Sequence, residues 1–107
     1  MKSQTIWVRG NRLMRQVRTG QKRGTVRKGK QNKKAGPATI RQSGTKKLVD
    51  VEITEVLHMK LKQLRRSHLS KLGSRATPMQ YAVSLKKFYS RLSLEDTITI
   101  IYFRLRK

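Results

Sequence analysis

Charge divides this chain into two parts that differ in what they can fold into. Residues 1–47 contain 15 Lys and Arg and no Asp or Glu, whereas residues 48–107 contain 12 Lys and Arg and all five acids. Apolar residues follow the opposite trend, with 11 in the first part and 27 in the second. The first part has too little to bury to offset its ordering entropy. We therefore predict a basic arm in residues 1–47 and a small domain in residues 48–107, which should fold without the arm.

The net charge of +22 indicates the class of partner. A polyanion relieves self-repulsion of this size, so we expect nucleic acid as the partner, together with the neighbouring proteins of a large assembly. No apolar run is long enough to cross a membrane, and the chain has no Cys for disulfides or thiolate chemistry. The only histidines, His58 and His68, lack metal-ligand spacing. We predict no enzyme activity, catalytic residue, metal, cofactor, membrane partner or small-molecule substrate.

The arm carries most of the candidate phosphate-binding side chains. Arginine recurs every third residue from position 9 to position 18, which gives a broad basic face on a helix or regular spacing on an extended chain. Residues 20–44 lack periodic apolar positions, so we predict that they are disordered when free and thread along a phosphate backbone. The predicted nucleic-acid-binding residues are Arg9, Arg12, Arg15, Arg18, Lys22, Arg23, Arg27, Lys28, Lys30, Lys33, Lys34, Arg41, Lys46, Lys47, Arg65 and Arg66.

The arm also contains two weak structural signals. Residues 5–8 are β-prone, and Leu13, Met14 and Val17 could form one face of a helix. Trp7 is the only large aromatic in the arm. It either docks the start of the arm onto the domain or stacks on a base, and we favour docking.

The first half of the domain is predicted to be a strand followed by a helix. Residues 48–53 alternate between apolar and polar in the manner of a half-buried strand. Thr54 can cap a helix whose apolar stripe includes Leu57, Leu61 and Leu72 and which ends at Gly73. We expect Leu61 to lie in the core.

The second half of the domain is predicted to be a helix followed by a strand. Thr77, Pro78 and Gln80 form a helix start with a capping box, and the apolar face that follows places Phe88 in the core. Residues 97–105 are β-branched and aromatic and form a strand that is apolar on both faces, so one face should meet the arm, another subunit or an assembly. The predicted fold class is α+β: a small β-α-α-β domain preceded by a long basic, largely extended N-terminal arm.

In overall plan the chain resembles ribosomal proteins, which combine a small α/β body with a glycine-interrupted Lys/Arg arm. The resemblance implies a structural RNA-binding protein whose arm neutralises and threads rRNA. It also implies a location on the ribosome, in the cytoplasm or the mitochondrial matrix, since the Arg-rich, acid-free first 20 residues resemble a mitochondrial import sequence. Strong binding to phosphates that is nearly independent of base sequence suits a permanent structural component of the ribosome.

Residues 46–92 resemble the ribbon-helix-helix fold in the segments LVDVEI, TEVLHMKLKQLRR and TPMQYAVSLKKFYSRL. That resemblance implies a dimeric DNA-binding protein, such as a plasmid or phage regulator or a relaxosome accessory protein, whose paired strands enter the major groove. A viral protein that packages nucleic acid is the third alternative. All three assign the basic residues to phosphates.

Overall fold

The computed structural model of the chain describes residues 4–106. It contains five strands, three α-helices and one short 3₁₀ helix. In chain order they are β1 (Gln4–Val8), α1 (Asn11–Arg18), β2 (Gly24–Lys28), β3 (Gly36–Gln42), β4 (Leu48–Lys60), the 3₁₀ helix (Leu61–Gln63), α2 (Arg66–Leu72), α3 (Pro78–Phe88) and β5 (Thr97–Leu105).

The strands form one mixed sheet in the order β1-β3-β4-β5-β2, which curls into a half-barrel. β1 runs parallel to β3, and the other neighbouring pairs are antiparallel. The predicted fold class is therefore wrong. Three of the five strands and α1 lie between residues 4 and 47, so this segment is part of the sheet and not a long extended arm before a β-α-α-β domain.

The segment predicted to be disordered, residues 20–44, supplies β2 and β3. Its few apolar side chains are placed where pairing buries them: Val26 lies opposite Ile100 of β5, and Ala38 lies opposite Val51 of β4. Long-range pairing thus orders a stretch that has no apolar periodicity of its own. For β2 the prediction failed because its partners in β5 lie 70 to 78 residues further along the chain.

The helix predicted to begin at Thr54 is a strand instead. β4 continues to Lys60, with a register shift between Ile53 and Glu55 where it pairs with β5. The shift changes which residues of β4 face each side of the sheet, so the alternation of apolar and polar residues is interrupted after residue 53. This interruption explains why the sequence pattern favoured a helix there. Helical structure starts only at Leu61, and α2 begins at Arg66.

Several local signals were confirmed. Thr77 caps α3 by accepting a hydrogen bond from the backbone N–H of Gln80, with Pro78 in the first turn. β5 spans Thr97–Leu105 as predicted, and the β-prone start and weak helical face became β1 and α1. α3 ends at Phe88, earlier than its apolar pattern suggested.

The core lies on both sides of the sheet. One cluster joins β1, α1 and β3 to Ile101 and Phe103 of β5, and the other joins α2 and α3 to Ile98, Ile100 and Tyr102. The two apolar faces of β5 are therefore both covered within the chain, and the N-terminal residues cover one of them. Leu61 is buried as predicted, but the core position predicted for Phe88 is wrong, because Phe88 is 70% exposed.

The topology also excludes the ribbon-helix-helix arrangement. In that fold the strand pairs with its copy in a second subunit, which requires a free edge. Residues 48–53 of β4, which would form the ribbon, pair instead with β3 along one edge, and residues 51–60 pair with β5 along the other. Among residues 4–106 the longest helix, α3, has 11 residues, and none of the helices there could cross a bilayer.

Candidate nucleic-acid interface

A cleft of about 710 Å³ lies between the outer strands of the sheet, β1 and β2, and the helix α3. The Arg27 guanidinium of β2 donates a hydrogen bond to the Trp7 carbonyl oxygen of β1 at 2.6 Å and so connects the two strands. We call this cavity the aromatic cleft. Its lining residues are Thr5, Ile6, Trp7, Val8, Arg9, Leu13, Lys22, Thr25, Val26, Arg27, Gln31, Lys33, Ser43, Tyr81, Ser84, Leu85, Phe88, Tyr89 and Ile101.

The loop between β2 and β3 is held in place beside this cleft. The Gln4 side chain accepts a hydrogen bond from the Lys34 backbone N–H at 2.7 Å and donates one to the Lys34 carbonyl oxygen at 2.6 Å. The Gln31 backbone N–H donates to Thr99 Oγ1 at 2.9 Å. These bonds fix both parts of the loop, so Gln31 and Lys33 are positioned at the cleft by the fold.

Lys22 is the most perturbed cation in the aromatic cleft. Burial, together with the smaller effect of the nearby positive charge of Arg27, lowers the pKa of its amine to about 8. Within residues 4–106, Lys22 forms no salt bridge with a carboxylate. The fold therefore holds a half-buried ammonium group next to another cation without an anion to compensate it.

Tyr81 on α3 belongs to the same group of side chains. Burial raises the pKa of its phenol, and the positive charge of Arg27 partly offsets this increase. The phenol is therefore protonated at neutral pH and can donate a hydrogen bond. Since Arg27 acts on both Lys22 and Tyr81, these three side chains converge in the cleft.

A second cavity, of about 800 Å³, adjoins the first. Lys22 and Tyr81 line both cavities, so they mark the junction. We call the second cavity the basic groove. Its lining residues are Arg12, Gln16, Gly20, Gln21, Lys22, Arg23, Ser70, Leu72, Gly73, Ser74, Arg75 and Tyr81.

The acidic residues lie away from both cavities. Glu95 accepts from Lys62 at 2.9 Å and from Lys60 at 3.2 Å, and Glu55 pairs with Lys71 at 2.6 Å. The lining of the two cavities includes none of the five acids, which are Asp50, Glu52, Glu55, Glu95 and Asp96. The charged side chains that line the two cavities are therefore all cationic.

The structure brings together only part of the predicted binding set. Six of the sixteen predicted residues line a cavity, and they are Arg9, Arg12, Lys22, Arg23, Arg27 and Lys33. The remaining ten lie outside both cavities, and they are Arg15, Arg18, Lys28, Lys30, Lys34, Arg41, Lys46, Lys47, Arg65 and Arg66. A role in binding for any of the sixteen stays a prediction.

Sequence reasoning missed the contribution of α2 and α3. Phe88 was assigned to the apolar core face of its helix, yet it lines the aromatic cleft together with Tyr81, and neither Tyr81 nor Arg75 was among the predicted binding residues. Nothing in the helical spacing of an aromatic residue distinguishes a core position from a cleft wall. Within residues 4–106, no three His, Cys, Asp or Glu side chains are grouped to hold a metal ion, and the expectation of no metal or cofactor stays a prediction.

Comparison with known proteins identifies the fold. No protein-family model matches the sequence, and a search of curated proteins found no significant match. Among solved structures, a DUF984 protein from Enterococcus faecalis V583 superposes with a TM-score of 0.79 at 15% identity, covering 99% of this chain and 77% of that one. An ASCH domain from Lactobacillus crispatus gives 0.75 at 12% identity, covering 97% and 79%. A variant ASCH protein from Zymomonas mobilis gives 0.61 at 13% identity, covering 97% and 70%.

These similarities correct the predicted identity of the chain. Its fold is that of ASCH and DUF984 proteins, so both resemblances, to ribosomal proteins and to ribbon-helix-helix proteins, were wrong. The predicted roles, as an rRNA-threading structural protein, a DNA-binding regulator or, as the third alternative, a viral packaging protein, are wrong as well. The neighbours are bacterial ASCH and DUF984 proteins, and they overturn the predicted ribosomal or mitochondrial location. At 12–15% identity these structures establish the fold of the chain but not its ligand.

Proposed function

We propose that the chain binds single-stranded nucleic acid in the aromatic cleft. The observation that carries this proposal is Lys22, a half-buried ammonium group beside Arg27 without a carboxylate partner in the described residues. A cation in this setting destabilises the folded protein, and a bound anion removes the cost. A chain with a charge of +22 attracts polyanions, and in nucleic acids the anionic group is phosphate.

The aromatic side chains favour a nucleotide over a simple anion. Trp7, Tyr81, Phe88 and Tyr89 line the cleft, and Trp7 and Phe88 are 56% and 70% exposed. Exposed aromatic rings next to cations allow a base to stack while its phosphate pairs with Lys22 or Arg27. Stacking of this kind requires an unpaired base, because bases in a duplex already stack on each other. The combination therefore favours a single strand.

Replacing Phe88 with Ala should weaken this binding without unfolding the protein. We expect Phe88→Ala to lower affinity for a single-stranded oligonucleotide of about ten nucleotides by about 5- to 150-fold, because base stacking contributes about 1–3 kcal/mol. Since Phe88 is exposed, the free energy of unfolding should change by less than about 0.5 kcal/mol. Fluorescence anisotropy and thermal unfolding measure the two quantities.

Met79 provides the matched control for this substitution. It lies on the same helix, is 79% exposed and is outside the aromatic cleft, so Met79→Ala should leave affinity unchanged. A duplex of the same sequence should bind less tightly than the single strand. Equal losses in Phe88→Ala and Met79→Ala, or equal affinity for duplex and single strand, would argue against stacking in the cleft.

A second candidate function, cleavage of bound RNA, is favoured by the low pKa of Lys22. With a pKa of about 8, about a tenth of the amine is neutral at pH 7 and can accept a proton. The neutral amine would take the proton of a ribose 2′-hydroxyl, whose oxygen attacks the adjacent phosphate. The 5′-oxygen of the next nucleotide leaves and takes a proton from solvent. Arg27 is placed to stabilise the charge on the phosphate.

The pH dependence separates cleavage from binding. Cleavage by neutral Lys22 should become faster as pH rises through about 8, whereas binding by charged Lys22 should weaken over the same interval. Electrophoresis of end-labelled RNA incubated between pH 6 and pH 9, with DNA of the same sequence as control, measures cleavage. Intact RNA at every pH, or DNA cut as fast as RNA, would contradict this second function.

A further inference from the structure

We infer that the basic groove binds the phosphates that adjoin the nucleotide in the aromatic cleft, so that the ligand is a polynucleotide and not a free nucleotide. The inference rests on the proposed function and extends it from the aromatic cleft to the adjoining cavity, with which the cleft shares Lys22 and Tyr81. The groove has a volume of about 800 Å³, which is within the range of ligand pockets and large enough for a nucleotide-sized group.

The charge of the groove selects a polyanion. Four cations, Arg12, Lys22, Arg23 and Arg75, line it, and none of the lining residues is acidic. Among residues 4–106, these cations form no salt bridge with a carboxylate. Besides these cations, the groove contains one aromatic side chain, Tyr81 at the junction, one aliphatic side chain, Leu72, and the hydroxyl and amide groups of Ser and Gln residues. This lining suits a sugar-phosphate backbone and offers little surface for bases to stack on.

The fold holds the floor of the groove rigidly. The Arg23 backbone N–H donates to the Leu72 carbonyl oxygen at 2.9 Å, and its guanidinium donates to the Ser70 carbonyl oxygen at 3.1 Å. Gly73 ends α2 with φ +92°, and a Cβ atom there would collide with the Gln21 carbonyl oxygen. Because the segment before β2 lies directly against the end of α2, the groove is already formed without a ligand.

The position of Lys22 connects the groove to the cleft. Lys22 and Tyr81 line both cavities, so a strand leaving the aromatic cleft beside Lys22 enters the basic groove without crossing an intervening wall. Arg12 lies on α1 and Arg75 lies in the segment that follows α2. Both line the groove along this path, and both are exposed. A single nucleotide in the cleft does not need these two arginines, whereas a longer strand does.

The test compares a nucleoside 5′-monophosphate with a single-stranded oligonucleotide of about ten nucleotides on the full chain. In the Arg12→Ala/Arg75→Ala double variant, oligonucleotide affinity should fall about tenfold or more, while monophosphate affinity stays within about twofold. The slope of log affinity against log salt should become shallower by about 1.4, because two phosphate contacts of a single strand are lost. Isothermal titration calorimetry measures both ligands.

The control is Lys86→Ala/Arg91→Ala, which removes the same charge from exposed positions outside both cavities and outside the predicted binding set. Its oligonucleotide affinity should fall less than about threefold, with an unchanged salt slope. Equal losses for the monophosphate and the oligonucleotide in the groove variant, or an unchanged salt slope there, would overturn the inference while leaving the proposed function intact. If neither ligand binds the unmodified protein, the proposed function itself is wrong.

Discussion

A chain that begins at residue 48 should be unfolded in solution. The truncation removes β1, β2, β3 and α1, so β4 and β5 each lose one of their two partner strands. It also removes six of the ten buried residues in the cluster that contains Ile101 and Phe103. Losses on this scale exceed the roughly 5–15 kcal/mol by which domains are stable.

Two-dimensional ¹H–¹⁵N NMR spectra of the full chain and of residues 48–107 provide the measurement. The full chain should give dispersed amide resonances, and the truncated chain should give the narrow dispersion of an unfolded polypeptide. The charge split in the sequence leads to the opposite expectation, that residues 48–107 fold without the arm. A dispersed spectrum and a cooperative thermal transition from the truncated chain would show that the first 47 residues are dispensable for folding.

Replacing Lys22 with Met should make the protein more stable and a poorer binder at the same time. A pKa lowered from 10.5 to about 8 means that the fold disfavours the charged amine, and this penalty amounts to about 3 kcal/mol at most. Met keeps the apolar stem and removes the charge. We expect Lys22→Met to raise the free energy of unfolding at pH 7 by about 1–3 kcal/mol, and to reduce affinity for a single strand by about 10- to 100-fold.

The stability difference should depend on pH in a defined direction. Below about pH 8 Lys22 is charged in both the folded and the unfolded protein, so the full penalty applies. Between about pH 8 and pH 10.5 the unfolded chain binds more protons than the folded one, and the stability of the unmodified protein therefore rises with pH. The advantage of Lys22→Met should shrink across this interval. Chemical denaturation at several pH values measures it.

Lys86 supplies the control for this substitution. It is exposed and lies outside both cavities, so Lys86→Met should change neither stability by more than about 0.5 kcal/mol nor affinity by more than about threefold. A Lys22→Met protein that is less stable at pH 7, or that binds as tightly as the unmodified chain, would contradict the role assigned to Lys22.

Local sequence signals predicted the elements that form through local contacts. The Thr77–Gln80 capping box, the β-branched run of β5 and the short apolar face of α1 are complete within a few residues, and each was confirmed. β2 was missed because it pairs with β5, at least 70 residues further along the chain, and β3 was missed because its order comes from pairing with β4 and β1 and not from an apolar period of its own. Composition alone does not predict whether such a segment is ordered. A charged segment needs only a few apolar residues to join a sheet when the pairing turns those residues towards the core.

The binding surface could be predicted only in part for a related reason. Charge composition identified Lys22 and Arg27 but could not separate them from ten other cations that line neither cavity. The distinguishing property of Lys22 is its burial next to Arg27, which depends on the approach of α3 and on the curl of the sheet. Phe88 is the opposite case, a residue predicted to be buried that is exposed. It lies on the apolar stripe of α3, but it is the last residue of that helix and its side chain is exposed.

The most direct test of the proposed interface is a lysine acetylation footprint with and without a saturating single-stranded oligonucleotide, mapped by mass spectrometry. Binding in the aromatic cleft requires strong protection of Lys22 and Lys33, which line it, and little change at Lys60 and Lys86, which are exposed outside both cavities. Protection spread evenly over all four lysines, or absent from Lys22, would contradict binding in the cleft.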